Sequence, residues 1–309
     1  MTPVAIADPG PMATVAAPLD APRVPLSWSL IGLCAGLVWS LGLITLRWAD
    51  ESDAFQYLIW RSLAIVIVLE SIAFLRRQRA MVPQAFGSGR LMLLTCACLL
   101  LASIAFVYAL KTTTPANAAF LASLAPLLAV VLAKFTLREP LTRVTIVAVG
   151  VAFIGLLITL GADLDSGSMA GNLAALASAF GLAGYAVCVR AGSRRDWSPV
   201  MVGYALVLIV ICLVVVTVSG EGALVPATDI ALAMFHGGVF IVVGTTLFNL
   251  ASRRIGAVPL AVFAQTEMVF VPLWGFLVLH ERPSATSLLG GAVIFVAVFG
   301  KALIDARSR

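Results

Sequence analysis

The side chain with the clearest chemical potential is Glu267, a carboxylate inside the apolar run 258–279. It lies about nine residues past the start of that run, which places it about 13 Å into a hydrocarbon layer about 30 Å thick. A carboxylate at that depth must face a partner or water. Its helical stripe is otherwise apolar and largely aromatic, with Phe263, Phe270, Val271 and Trp274. Glu267 is therefore predicted to contact a solute ammonium group or carry a proton, with a buried structural ion pair as the equal alternative.

Two further charges, Arg61 and Glu70, lie in the apolar run 55–74. Arg61 is the predicted partner of Glu267, because its long side chain starts about 9 Å below one end of its helix and reaches toward the midplane. The alternative is that Arg61 binds carbonyls or pairs internally. Glu70 is nine residues further on, on the opposite side of the helix and near its other end. It is a candidate for proton coupling, or a side chain that extends to the interface.

Polar and aromatic side chains within the apolar runs are candidates to line a cavity for a partly aromatic or amphipathic solute. They are Trp39, Tyr108, Tyr185, Asn249, Gln265 and Trp274. Anchoring at the membrane interface is the competing interpretation for any of the aromatic residues. Gln265 lies about 200° around its helix from Glu267 and faces a different neighbour. His236, beside two glycines, is interpreted as a packed histidine, with a proton relay as the alternative.

Composition indicates the kind of element that positions these groups. Hydrophobic residues make up 61% of the 309-residue chain and charged residues 11%, with a mean hydropathy of +1.06. A soluble fold of that composition would lack a wettable surface, so an all-α membrane protein is predicted. Residues 1–26, rich in Pro and Ala, are predicted to be a disordered cytoplasmic tail. Ten transmembrane helices are predicted near 27–46, 55–74, 91–110, 116–137, 142–160, 171–190, 199–218, 228–250, 258–279 and 287–304.

The distribution of Lys and Arg predicts how these helices are oriented. With ten helices and a cytoplasmic N-terminus, fifteen of the twenty basic residues fall on the cytoplasmic side. The external loops hold three, Arg47, Lys111 and Arg282. This split predicts a multi-pass protein of the inner (plasma) membrane with both termini in the cytoplasm. It also explains the net charge of +5 without a nucleic-acid partner.

A similar segment occurs twice, around Glu139 and around Glu281, 142 residues apart. Because five helices separate the copies, the second enters the membrane from the opposite side. Residues 27–161 and 170–305 are therefore predicted to be inverted five-helix repeats. Such halves offer two nearly equivalent packings, which is what alternating access requires. The two acids themselves are expected to favour the N-termini of the helices that follow, with a coupling role as the alternative.

Patterns that would indicate catalysis are missing from the sequence. None of the five cysteines has metal-ligand spacing with a histidine. There is no phosphate-binding loop, no serine-hydrolase elbow and no zinc-protease motif. The chain is predicted not to be an enzyme, to use no cofactor or metal, and not to hydrolyse ATP by itself.

Several short motifs recur in a fixed order along residues 27–305. They are Trp39, Arg61, Tyr108-Ala109-Leu110-Lys111, Leu124-Ala125-Pro126, Glu139-Pro140-Leu141-Thr142, Glu267 and Glu281. In order, spacing and duplication they resemble the EamA-type branch of the drug/metabolite transporter superfamily. The resemblance implies secondary transport of a small organic metabolite, with efflux of amino acids or related metabolites as the leading activity. Import or facilitation of a vitamin-like solute, and flipping of a lipid-linked precursor, are the alternatives.

The partners expected from this resemblance are the solute and membrane lipid. Monomer and dimer are both open at this stage. Proton coupling, exchange and simple facilitation also remain alternatives, because neither the first nor the sixth predicted helix has an acid in its interior.

Overall fold

A computed structural model describes residues 26–136, 143–162, 169–191, 197–252 and 266–307. Throughout these residues the regular structure is helical. The helices are α1 (Leu26–Ser40), α2 (Gly42–Trp48), α3 (Ala54–Leu75), α4 (Met81–Gly87), α5 (Arg90–Thr112), α6 (Pro115–Ala122), α7 (Ala125–Thr136), α8 (Arg143–Ala162), α9 (Met169–Ala191), α10 (Ser198–Val218), α11 (Ala227–Phe235), α12 (Val242–Ser252), α13 (Thr266–Leu277) and α14 (Ala285–Arg307). A π-helical segment, His236–Ile241, joins α11 to α12. Residues 1–25 of the predicted tail and the loop with Glu139 lie outside the described residues.

Within the described residues, seven helical stretches are long and apolar enough to cross a membrane. They are Leu30–Trp48, Ala54–Leu75, Arg90–Thr112, Pro115–Thr136, Met169–Val189, Ser198–Val218 and Ala227–Phe248. Two shorter apolar helices, Ile146–Ile158 and Leu288–Gly300, accompany them. Large apolar side chains cover the outside, including Val210 (61% exposed) in the middle of α10, as expected where lipid is the solvent. The chain is an all-α, multi-pass membrane protein.

Three of the predicted helices are divided rather than regular. The first breaks at Leu41, between α1 and α2, and the fourth breaks at 123–124, between α6 and α7. Pro126 follows the second break, in the first turn of α7, where its missing N–H leaves no hydrogen bond unmade. The eighth widens into the π segment. The short helix α4 was not predicted, because seven residues between two long apolar runs carry too little periodicity.

The helices pack in pairs that correspond when the two halves are exchanged. The first half packs α5 along α9 of the second, and the second half packs α12 along α1 of the first. Helices at equivalent positions also pack on each other, α3 on α10, α8 on α14 and α6 on α13. Glycines permit the closest approaches. A Cβ on Gly181 of α9 would lie 2.8 Å from the Cys98 carbonyl of α5, and one on Gly155 of α8 would lie 2.7 Å from the Gly290 carbonyl of α14.

Candidate functional site

One end of the molecule is closed by contacts that join its two halves, and we call it the Arg47 end. It contains the connections 49–53, 113–114, 219–226 and 278–284. Arg47, near the end of α2, donates from Nη2 to the Thr113 carbonyl at 2.9 Å. Its Nε lies 3.5 Å from Glu281 Oε1, which is the ion pair found among the described residues. A single guanidinium therefore holds α2 to two connections of the fold at this end.

Asp229 anchors the 49–53 connection to the second half. It lies in the first turn of α11 and is 3% exposed. Its Oδ2 accepts a hydrogen bond from the Ser52 backbone N–H at 2.8 Å. Gln56 and Trp60, one turn apart on α3, donate to the carbonyls of Gly222 and Ala223 at 2.8 and 3.0 Å. These bonds fix α3 to the connection before α11.

Glu281 does not take the role expected from the sequence. The helix that follows it, α14, begins four residues later at Ala285, and the Glu281 carboxylate faces Arg47 instead. Burial raises the pKa of Glu281 above its ordinary value, and the Arg47 charge opposes that shift only in part. Its copy in the first half, Glu139, lies outside the described residues.

A buried polar joint connects α2, α3 and the π segment. Tyr57 Oη lies 2.8 Å from His236 Nδ1 and 3.2 Å from Thr45 Oγ1, and Tyr57 is fully buried. His236 begins the π segment and packs against Gly42, where a Cβ would collide with the imidazole ring. His236 is therefore packed, as interpreted, but it also has a polar partner. Sequence reasoning missed Tyr57, which sits as one aromatic residue among many in an apolar helix.

The predicted ion pair between Arg61 and Glu267 is wrong. Arg61 is buried, at 4% exposed, and donates from Nη2 to Ser103 Oγ of α5. Its backbone carbonyl lies against Gly237 of the π segment. Arg61 thus makes a local polar contact between neighbouring helices, and its partner is a hydroxyl rather than the carbonyl or internal ion pair given as the alternative.

Glu70 caps a helix. Its Oε1 accepts the backbone N–H groups of Met81 and Val82, both at 2.8 Å. These are the first amides of α4, which no preceding turn can satisfy. The carboxylate thereby holds α4 beneath α3, and we call this region, 70–90, the Glu70 end. The observed geometry gives Glu70 a capping role, and coupling stays an untested prediction.

Several of the predicted lining residues lie on elements around α1. The Trp39 and Phe248 ring centroids are 5.5 Å apart, which joins α1 to α12. Trp274 of α13 donates from Nε1 to Ser40 Oγ of α1 at 2.9 Å. It also stacks on Phe270 with centroids 6.0 Å apart, as the predicted aromatic stripe requires. Three helices therefore present aromatic side chains to one region.

Glu267 lies on the same helix as Trp274, and its side chain is partly exposed. It is ten residues before Leu277, the end of α13, which is about 15 Å along the helix axis. That distance corresponds to half the thickness of a hydrocarbon core. Among the described residues no ion pair includes Glu267. The carboxylate thus lies about 15 Å from the Arg47 end of α13, beside an aromatic stripe.

The remaining predicted lining residues are not gathered there. Tyr108 lies at the Arg47 end, with its ring 6.3 Å from that of Phe55. Tyr185 is a partly buried residue of α9, packed against the core. Gln265 and the side chain of Asn249 lie outside the described residues. The structure therefore divides the predicted set. Trp39, Trp274 and Glu267 form what we call the group around α1, and the others are single residues elsewhere.

Comparison with known protein families identifies the family of this chain. The model of the EamA-like transporter family matches the chain twice, over residues 26–161 and 169–301. The chain belongs to the EamA-like transporter family. The two matches correspond to the two halves of this EamA-like protein described above, and membership points to transport of a small molecule rather than to catalysis.

Individual proteins similar to this EamA-like chain agree with the family. The pseudopaline exporter CntI of Pseudomonas aeruginosa, from two strains, is 28% identical over 198 residues, which is 63% of this chain and 68% of the relative. One solved crystal structure superposes with a TM-score of 0.63 and 21% sequence identity, covering 90% of this chain and 97% of the other. That likeness shows the fold alone.

Proposed function

We propose that this protein is a secondary transporter that exports a small organic metabolite by alternating access. Ten transmembrane helices form two inverted repeats, 27–161 and 170–305, in the inner membrane, with both termini in the cytoplasm. The solute binds between the halves near mid-depth, on the group of side chains around α1. The exporter name of the relatives at 28% identity favours the outward direction.

The proposed binding site rests mainly on the position and surroundings of Glu267. A carboxylate inside a membrane protein is costly unless it meets a cation or water. Among the described residues no Lys or Arg forms an ion pair with it. Trp274, two turns along the same face of α13, offers an aromatic ring beside it. A carboxylate next to aromatic faces suits a solute with an ammonium group, since both attract a cation.

The packing of the halves supports alternating access. Every inter-half pair named above has a counterpart when the halves are exchanged, as α5 with α9 has in α1 with α12. Inverted halves with equivalent contacts permit a second arrangement of nearly equal energy, open at the opposite end. In the arrangement described here, the Arg47 end is closed by its ion pair and hydrogen bonds.

The test is a flux measurement on wild type and on Glu267→Gln. Inside-out vesicles from overexpressing cells are loaded by incubation with a panel of ammonium-bearing metabolites, and uptake is read by mass spectrometry. Glu267→Gln should lower uptake of the transported solute at least about tenfold, the effect of losing one charge-assisted contact, at an unchanged protein level. Glu221→Gln, an exposed acid of the 219–226 connection, is the matched control and should leave uptake unchanged.

Retained uptake in Glu267→Gln would return that residue to a structural role. Absence of uptake of any panel member in wild type would count against export of such metabolites. Tags at the two termini test the architecture separately. Both should report the cytoplasm, and one terminus outside would contradict ten helices in inverted repeats.

A further inference from the structure

A cavity of about 430 Å³ opens at the Arg47 end, away from the group around α1. All of its lining comes from the first half of the chain. The lining residues are Leu46, Arg47, Asp50, Ser52, Asp53, Ala54, Phe55, Tyr108, Lys111 and Thr112. Cavities that hold small ligands begin at about 300 Å³. We call this cavity the vestibule, and its volume suits a molecule of about the size of an amino acid.

The vestibule wall presents two cations, Arg47 and Lys111, and neither of its lining carboxylates, Asp50 and Asp53, forms an ion pair with them in the described part of the chain. Lys111 Nζ donates to the carbonyls of Ala49 and Ser52, the latter at 2.9 Å. Carbonyl oxygens are neutral, so they orient the ammonium group without cancelling its charge. Asp229, Asp50 and Asp53 act on Lys111 only through the electrostatic field. Asp229 and Asp53 each already accept a backbone N–H.

Arg47 adds a second, partly available cation. Its Nη2 binds a carbonyl, and its Nε stands 3.5 Å from Glu281 Oε1, longer than a charge-assisted hydrogen bond of about 2.8 Å. Buried Nε has no hydrogen-bond partner among the described residues. The Glu281 carboxylate therefore neutralises this guanidinium incompletely, and another carboxylate could compete with it.

The rest of the vestibule lining supplies an aromatic wall and an exposed carboxylate. Phe55 and Tyr108 form an aromatic wall with ring centroids 6.3 Å apart. Asp50 is exposed at the rim. The site thus combines cations inside, an apolar wall, and an acid at the mouth.

We propose that the vestibule is a second binding site, for a small zwitterion whose carboxylate meets Arg47 and Lys111. Its ammonium group meets Asp50, and its apolar part lies between Phe55 and Tyr108. The ligand competes with Glu281 for Arg47. The inference rests on the proposed function only in taking this ligand to be the solute as it crosses this end, so binding and flux are measured separately.

The experiment uses three probes that differ in their charged groups: phenylalanine, 3-phenylpropionate, which lacks the ammonium group, and phenethylamine, which lacks the carboxylate. A cysteine at Thr112→Cys, on the vestibule wall, is labelled in intact cells with a membrane-impermeant maleimide. Wild type, with its five native cysteines, gives the background. Phenylalanine and 3-phenylpropionate should slow labelling, and phenethylamine should not.

Second substitutions in the Thr112→Cys background locate the carboxylate contact. The measured quantity is the concentration of phenylalanine that halves the labelling rate, which we call the protecting concentration. Arg47→Gln and Lys111→Gln should each raise it about tenfold or more. Arg282→Gln removes an exposed cation of the same end that does not line the vestibule, and it should change nothing. Glu281→Gln should lower the protecting concentration several-fold, because Arg47 loses its competitor.

Asp50→Asn keeps the proposal testable if the cation variants fail to fold, since Asp50 is exposed. This substitution should weaken protection by phenylalanine and leave protection by 3-phenylpropionate unchanged. Equal protection by phenethylamine, or no protection by either carboxylate probe at any concentration, would overturn the proposal. Protection without any metabolite flux in the vesicle assay would keep the vestibule site and reject the proposed function.

Discussion

The two ends of the molecule use their carboxylates in different ways. At the Arg47 end, Asp229 and Glu281 belong to the second half and bind groups of the first. At the Glu70 end, Glu70 binds amides of its own half. Among the described residues near that end, a polar contact between the halves joins Cys96 Sγ to the Val200 carbonyl at 3.9 Å, and thiols bond weakly.

This difference indicates that the ends have different tasks in the arrangement described here. In the proposed alternating access, contacts across the halves at the Arg47 end break when that end opens. The Glu70 cap lies within one half, so it can persist whichever end is open. Substitutions at the first end should therefore change the balance between arrangements, and those at the second should change only local stability.

The largest effect is expected from Asp229→Ala. It leaves the Ser52 N–H buried without an acceptor, which costs about 1–3 kcal/mol, and it frees the 49–53 connection. The melting temperature of the purified protein should fall, and labelling of a cysteine at Thr112→Cys should speed up. Asp229→Asn keeps an acceptor oxygen and should lower the melting temperature less. Equal losses in the two variants would mean that the hydrogen bond to Ser52 contributes little.

A smaller and more local effect is expected from Glu70→Ala. Loss of a helix cap costs about 1 kcal/mol, confined here to α4 and the connection before it. Trypsin should cut faster at the exposed residues Arg76, Arg77 and Arg79, while metabolite uptake is retained. Glu70→Gln keeps one acceptor and should be cut at an intermediate rate. Loss of uptake in Glu70→Ala would instead give this carboxylate a part in coupling.

The smallest effect is a pH dependence from Glu281. Its pKa is raised where it lies against Arg47, so closing this end favours the protonated carboxyl. The contribution is complete below the ordinary pKa near 4.5 and is lost as pH rises through the raised value. With the paired side chains 23% and 32% exposed, solvent limits the effect to about 0.5 kcal/mol. Labelling at Thr112→Cys slows in every variant as external pH falls, because the thiolate is the reactive form. The slowing should be modestly steeper with Glu281 present than in Glu281→Gln, and the difference between the two slopes is the measurement.

Helix positions were largely predictable from the sequence, because an apolar run long enough to cross a membrane has few other stable structures. The predicted helix 91–110 lies within α5, and 199–218 matches α10 to within one residue. The break before α7 had a signal in Pro126 that was not used. The break at Leu41 had a weaker signal that was also not used, since Ser40 precedes it and Gly42 directly follows it.

Partners across the fold were not predictable from one chain. The Arg61–Glu267 pair was inferred from charge and depth alone, and Ser103, a small polar residue in an apolar helix, gave no sign of its contact. The link between Tyr57 and His236 spans 179 positions. The vestibule depends on the 49–53 connection folding back over α5, which hydropathy does not encode.

The π segment also sets the phase of everything after it in the same helix. Residues 236–241 wind more loosely than an α-helix, so one residue is absorbed without advancing the turn. A deletion of one residue here would restore regular winding and leave the orientation of α12 unchanged. The same deletion elsewhere in the helix has no loose turn to absorb it and would rotate α12 by about 100°. Phe248 would then leave Trp39, and a different row of side chains would face α1. The π segment is thus the place where this helix can lose one residue and keep the same lining.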